Sequence, residues 1–162
     1  MTVGILGLGL IGGSLARSYK LAGHKVLCCD TDQDMLSFAM VAGVVDEKMT
    51  DDNISECDLI LLAIYPDGCI QWMQQHASHI RNHTIVMDCC GTKREVCNHC
   101  FPIAQEYGFT FIGAHPMAGK EQSGFDYSDA DMFNGASLIV TAENPQSKLY
   151  AYDAGRRAIQ DY

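Results

Sequence analysis

A short apolar run, Thr2-Val3-Gly4-Ile5-Leu6, opens into Gly7-Leu8-Gly9-Leu10-Ile11-Gly12 and passes straight into a helical pattern that ends at Gly23. This junction constrains the fold more than any other stretch of the chain. Gly7 permits the tight turn out of a strand, Gly9 leaves no side chain to block a pyrophosphate, and Gly12 lets the helix pack close to the sheet. The helix begins near Leu10, so the amides of Leu10, Ile11 and Gly12 and the positive end of the helix dipole face the loop. A second apolar run, Val26-Leu27-Cys28-Cys29, ends at Asp30. Strand, glycine loop, helix, strand and acid within about 30 residues make one βαβ unit built to hold a dinucleotide. Taken alone, the glycine spacing would describe a structural turn equally well.

The rest of the chain continues the alternation. Thr31 or Asp32 is placed to cap a second helix carrying Met35, Leu36, Ala39 and Met40, and Val44-Val45 is predicted as a short third strand. Asp58 to Ile64 is a continuous apolar run, the pattern of a strand covered on both faces. Pro66 opens the next helix, with Ile70, Trp72, Met73 and Ile80 on its buried side. Thr84 to Asp88 and Phe109 to Ala114 read as strands. Between them Lys93 to Tyr107 reads as a helix that Pro102 is expected to kink or split. Ala136 to Thr141 is predicted as the last strand, and Asn144-Pro145 starts a helix running to Tyr162. The fold expected is α/β: a Rossmann-type doubly wound, mostly parallel sheet with helices on both faces, forming one domain over residues 1–162.

Bulk properties exclude several functions. The chain has 162 residues, 48% of them hydrophobic and 19% charged, enough for one well-buried domain. A net charge of −9 leaves no broad basic surface, so neither nucleic acid nor an anionic membrane is an expected partner. No run reaches the length of a membrane span, and the opening apolar run lacks the basic leader of a secretory signal. The eight cysteines include two adjacent pairs, Cys28-Cys29 and Cys89-Cys90, on runs where neighbours point to opposite faces. Disulfides are not expected, and a reducing cytoplasm is the expected setting.

Asp30 can accept hydrogen bonds from the adenosine ribose hydroxyls, and its charge would repel a 2′-phosphate. With Thr31 and Asp32 after it instead of an arginine, NAD is expected over NADP. His115 follows a strand at its carboxyl end, the edge where open α/β sheets bind ligands. Pro116 restricts its backbone, and an imidazole titrates near neutrality, so it can accept a proton from a substrate hydroxyl. Position alone leaves a structural histidine equally open.

Gly113-Ala114-His115-Pro116-Met117-Ala118-Gly119, with Ser123-Gly124, Asp129-Ala130-Asp131 and Phe133, resembles the prephenate/arogenate dehydrogenase family. Asp88-Cys89-Cys90-Gly91-Thr92-Lys93 is similar to the same family's segment of aspartate, two variable residues, serine, an aliphatic residue and lysine. The resemblance runs from Val3 to about Ala142. It implies that His115 accepts a hydrogen bond from the ring hydroxyl of prephenate or arogenate. Hydride then passes from the carbon bearing that hydroxyl to the nicotinamide, carbon dioxide leaves, and the ring becomes aromatic. It also implies that Lys93 and Ser123 belong to the substrate site, and that Ala63, Ile64, Tyr65 and Pro66 pass beside the adenine and ribose. Gly91 departs from the family serine that contacts hydroxyl and cofactor. It is carried over as a cofactor-side position, and the hydroxyl role passes only weakly to Thr92, whose side chain would point the other way along an extended chain.

Members of that family continue into a helical domain that forms the dimer and supplies an arginine for the substrate carboxylates. The resemblance therefore implies that the helix from about 145 leads toward such a domain beyond Tyr162, and that the full-length protein is a homodimer. Two alternatives stand beside the dehydrogenase: a non-catalytic nucleotide-sensing or interaction module, and a hydride-transfer enzyme of the β-hydroxyacid type. No metal is expected. Cys97-Asn98-His99-Cys100 resembles half a zinc site, but it falls on a helix with no second pair to complete it. His76, His79 and His83 read as a solvated face, as do Asp46, Glu47, Asp51 and Asp52 as a loop.

Overall fold

The computed structural model describes residues 1–141. The helix expected from about 145 lies outside the described residues. The strands are β1 (Thr2–Leu6), β2 (Lys25–Cys29), β3 (Glu47–Lys48), β4 (Leu59–Leu62), β5 (Ile85–Asp88), β6 (Thr110–Pro116) and β7 (Leu138–Thr141). The α-helices are α1 (Leu10–Leu21), α2 (Gln33–Val41), α3 (Pro66–His76) and α4 (Arg94–Tyr107). One seven-stranded sheet has the order β3-β2-β1-β4-β5-β6-β7, with β1 to β6 parallel and β7 antiparallel to β6. The strand order reverses direction between β1 and β4. Such a switch point opens a crevice at the carboxyl ends of the strands.

Alternation along the strands explains the two layers. Val3, Ile5, Val26, Cys28, Leu59, Leu61, Met87 and Ile112 face one side, where Leu15, Ala16 and Tyr19 of α1 and Leu36 and Ala39 of α2 cover them. Leu27, Ile60, Leu62, Val86 and Phe111 face the other side, under Cys69, Trp72 and Met73 of α3 and Val96, Cys97, Cys100 and Ala104 of α4. Both faces of β4 are buried, which is why it reads as an unbroken apolar run. Fully burying one such aliphatic side chain stabilises the fold by about 1.5–3 kcal/mol.

Three local expectations are corrected. Val44 and Val45 are buried but form no strand; their amides donate to the Ala39 carbonyl at the end of α2, at 3.0 and 3.3 Å. Their hydrogen bonds are used in closing a helix, and strand pairing with β2 waits until Glu47–Lys48. Pro102 does not split α4, which runs unbroken from Arg94 to Tyr107. Pro102 and Asn98 both lie on the exposed face of the helix. The strand expected to stop at Ala114 continues through Pro116, and His115 is itself a strand residue paired with Ile139 of β7.

From Met117 the chain crosses back over α1 before β7. The Ser14 hydroxyl accepts from the Asp129 amide at 2.9 Å, and the Ser18 hydroxyl donates to the Ala130 carbonyl at 2.5 Å. Arg17 donates from Nε to the Ser128 hydroxyl at 2.8 Å and lies 4.7 Å over the Phe125 ring. A Cβ on Gly13 would come within 2.8 Å of Phe125, so this glycine lets the strap lie against the helix.

Candidate dinucleotide and substrate site

The glycine loop is shaped from both sides. Gly7 has φ +91, a conformation that L side chains rarely adopt, and its amide donates to the Cys29 carbonyl at 2.8 Å. A Cβ on Gly12 would fall 1.8 Å from the Gly7 carbonyl oxygen and 3.2 Å from Ala63 Cβ, so Gly12 sets the closeness of helix and sheet. A Cβ on Gly9 would meet nothing within 4 Å. Neither protein packing nor a positive φ requires glycine at position 9. Gly9 is also the N-cap of α1 and makes no side-chain cap, so the Leu10, Ile11 and Gly12 amides have no capping oxygen. Open space in front of uncapped helix amides is what an anionic pyrophosphate fits.

Asp30 stands at the end of β2. Its Oδ2 accepts from the Leu8 amide at 2.5 Å and its Oδ1 from the Asp32 amide at 2.8 Å. The carboxylate therefore fixes the loop as well as facing it. Asp32 is used as the N-cap of α2, accepting from the Asp34 and Met35 amides. Across the switch point, Ala63 donates to the Leu6 carbonyl, and a Cβ on Gly7 would overlap Ile64. The thiols of Cys69 and Cys90 both donate to the Ile64 carbonyl, at 3.6 and 3.4 Å, and hold this turn from below. Tyr65 stands at the N-cap position of α3, 89% exposed, and Pro66 is the first helical residue.

Phe111, Gly113 and His115 alternate on the α4 side of β6; a Cβ on Gly113 would press on Cys97 Sγ. His115 Cε1 lies 3.8 Å from the place a Cβ on Gly91 would take. The Nδ1 atom is sealed from solvent and has no hydrogen-bond partner among the described residues. Asp88, the aspartate that opens the segment resembling the family's, is fully buried. Its Oδ1 accepts from the Ala114 amide and its Oδ2 from the Cys90 amide, both at 3.1 Å. Lys93 pairs with Asp88 and donates to the Ala114 carbonyl. The Lys93 ammonium is thus committed to holding the backbone beside His115.

Gly91 and Thr92 are exposed on the turn between Cys90 and Lys93, and Ser123 is exposed on the strap with no hydrogen bond to a described residue. The structure brings His115, Gly91 and Lys93 together at one end of β5 and β6; no hydrogen bond joins Ser123 to them. Cys97 and Cys100 are buried on α4 within the core. Trp72 is likewise core, while His76 pairs with Asp51 at 2.6 Å on the surface. Asp46 is more than a loop acid: it accepts from the Val26 amide and from Lys20, each at 2.7 Å. No helix among the described residues is long and apolar enough to cross a membrane.

Known proteins resemble this chain in sequence and in fold. A prephenate dehydrogenase from Lactococcus lactis is 29% identical over 145 residues, covering 88% of this chain and 41% of that protein. The crystal structure of Synechocystis arogenate dehydrogenase superposes with a TM-score of 0.83 at 25% identity, over 98% of this chain and 57% of that one. The structure of prephenate dehydrogenase from A. aeolicus in complex with hydroxyphenyl propionate and NAD+ shares the fold, with a TM-score of 0.84 at 23% identity over 99% of this chain and 57% of that one. The chain thus spans about half the length of these relatives. The profile of the family described as "Prephenate dehydrogenase, nucleotide-binding domain" matches residues 15–152, and the chain belongs to that family.

Proposed function

We propose that this chain is the NAD-binding part of a dehydrogenase that oxidatively decarboxylates prephenate or arogenate in tyrosine biosynthesis. The observation that carries the reading is His115, held on the carboxyl edge of the same sheet whose switch point carries the open cradle at Gly9. The cradle fits the pyrophosphate, with the Leu10, Ile11 and Gly12 amides as donors. Asp30 fits the adenosine ribose and disfavours a 2′-phosphate, which supports NAD over NADP. Ala63, Ile64, Tyr65 and Pro66 line the opposite wall, and Gly91 leaves room on the nicotinamide side. When bound, NAD supplies the hydride acceptor.

In this reading His115 accepts the hydrogen bond of the substrate's ring hydroxyl and takes its proton as that carbon is oxidised. Lys93 and Asp88 are positioning residues, since they fix the Ala114 peptide that precedes His115. Thr92 and Ser123 are exposed hydroxyls that a substrate can reach. The substrate carboxylates need cations that the described residues do not gather; those cations and the homodimer contact are assigned to the part of the relatives' length that this chain does not span. This is consistent with a chain that spans about half of its relatives.

Calorimetry on the chain is expected to show NAD binding, tighter than NADP. In the natural protein, His115→Asn is expected to lower turnover about 100-fold or more while changing the NAD dissociation constant little. Unchanged turnover with prephenate and arogenate would remove His115 from the chemistry.

A further inference from the structure

The turn from Asp30 into α2 uses its own hydrogen-bond donors. Asp30 Oδ1 accepts from the Asp32 amide at 2.8 Å, and Asp32 Oδ1 accepts from the Asp34 and Met35 amides at 3.1 and 2.9 Å. Gln33 donates from Nε2 to the Asp30 carbonyl at 2.6 Å and accepts from Lys48 at 2.7 Å. First-turn amides are the donors that a helix offers to an anion, and here a carboxylate has taken them. Asp34 adds another acid to the same turn. Asp32 is exposed, and no cation pairs with it among the described residues.

The ribose hydroxyls belong on Asp30. A group on the 2′-oxygen therefore lies beside the carboxylate that holds the Asp32 amide, one side chain away from the Asp32 carboxylate. A 2′-phosphate brings a charge of about −1.5 to −2 to that place and finds the Asp34 and Met35 amides occupied. A 2′-hydroxyl brings no charge and needs neither amide.

Asp30 does not separate cofactor choice from cofactor grip. Its Oδ2 accepts from the Leu8 amide, so a change at 30 alters the pyrophosphate loop together with the ribose contact. The Asp32 side chain bonds to the amides of α2 and to no residue of the glycine loop.

We infer that Asp32 is a specificity-determining residue, excluding the 2′-phosphate of NADP by its charge and by its hold on the first-turn amides of α2. This rests on the dinucleotide reading of the cradle and adds to it a residue whose effect on the choice is separable from the grip.

Calorimetry on the chain tests it, with NADP titrated both directly and as a competitor of bound NAD. Low ionic strength is used because exposed charges are screened least there. Asp32→Ser keeps an N-cap of equal quality and removes the charge, so the urea midpoint is expected to stay where it is. NADP affinity is expected to rise about tenfold, the effect of one unit charge removed from beside a phosphate dianion, and NAD affinity to change by less than about twofold. Asp32→Asn, which keeps both the cap and the shape, is expected to do the same. Added salt is expected to narrow the gap between wild type and either variant. Glu106→Gln removes the same charge from an exposed position near the end of α4, on the other layer, and is expected to leave both affinities as they are. An unchanged ratio of NADP to NAD affinity in both Asp32 variants, or an equal rise in Glu106→Gln, overturns the inference. A wild-type chain that binds neither dinucleotide would overturn the dehydrogenase reading instead.

Discussion

Gly9 and Gly12 are both glycines of one loop, yet they do opposite work. A Cβ at Gly12 would overlap the Gly7 carbonyl at 1.8 Å, whereas a Cβ at Gly9 meets nothing within 4 Å. Gly12→Val is therefore expected to destabilise the fold by about 2 kcal/mol or more through overpacking against backbone. Gly9→Val is expected to lower the urea midpoint only slightly, through the loss of glycine at the N-cap, and to abolish NAD binding by filling the cradle. If Gly9→Val unfolds the chain, or binds NAD as well as wild type, that division fails. These roles were legible because a glycine spacing between a strand and a helix already encodes distances. The surroundings of His115 were not legible. Its segment marked it as a site residue, but an unpartnered Nδ1 arises from what β5, α4 and their connecting turn fail to place beside it. Nor did a lysine at a helix start declare that its ammonium turns inward to Asp88.

The join between β5, β6 and α4 depends on one buried carboxylate. Asp88 is 0% exposed and accepts from two backbone amides and from Lys93, whose side chain is 20% exposed. Removing one partner of such a pair costs about 3–5 kcal/mol because a charge is left buried and unpaired. Lys93→Met is expected to fall at the low end of that range, since Lys93 is partly reached by water. Urea unfolding measures it, and a loss of turnover at unchanged stability would instead put Lys93 on the substrate. At this scale the strands announced themselves by apolar runs, and α2 and α3 by Asp32 and Pro66 at their starts. The errors lie where amides have a competing use. Val44 and Val45 carry strand-forming side chains but spend their N–H groups on the α2 terminus. Pro102 costs α4 one hydrogen bond, but it and Asn98 lie on the exposed face and the helix runs through.

Across the whole molecule, the order of strands and the assignment of helices to faces followed from alternation, because each strand has two faces to bury and each helix one. The strap over α1 did not, since Ser14, Arg17 and Ser18 look like ordinary polar helix residues until Ser128, Asp129 and Ala130 arrive from over 100 positions later. The same two-layer burial makes the fold sensitive to alkali. Cys28, Cys57 and Cys100 are each 0% exposed. Burial raises the Cys57 and Cys100 thiols from 9.0 to about 12 and pushes Cys28 up as well. A group whose folded pKa is raised keeps its proton in the native state while the unfolded chain releases it. The stabilising effect is full below about 9 and declines as the pH rises through that value toward the folded pKa. Three such thiols would cost up to about 4 kcal/mol by pH 10, a large part of a domain's stability. The urea midpoint is expected to fall steeply between pH 8 and 10, and less steeply in Cys100→Ala. Equal midpoints at both pH values would mean that these thiols ionise as freely in the core as in the unfolded chain, and that the two layers admit water.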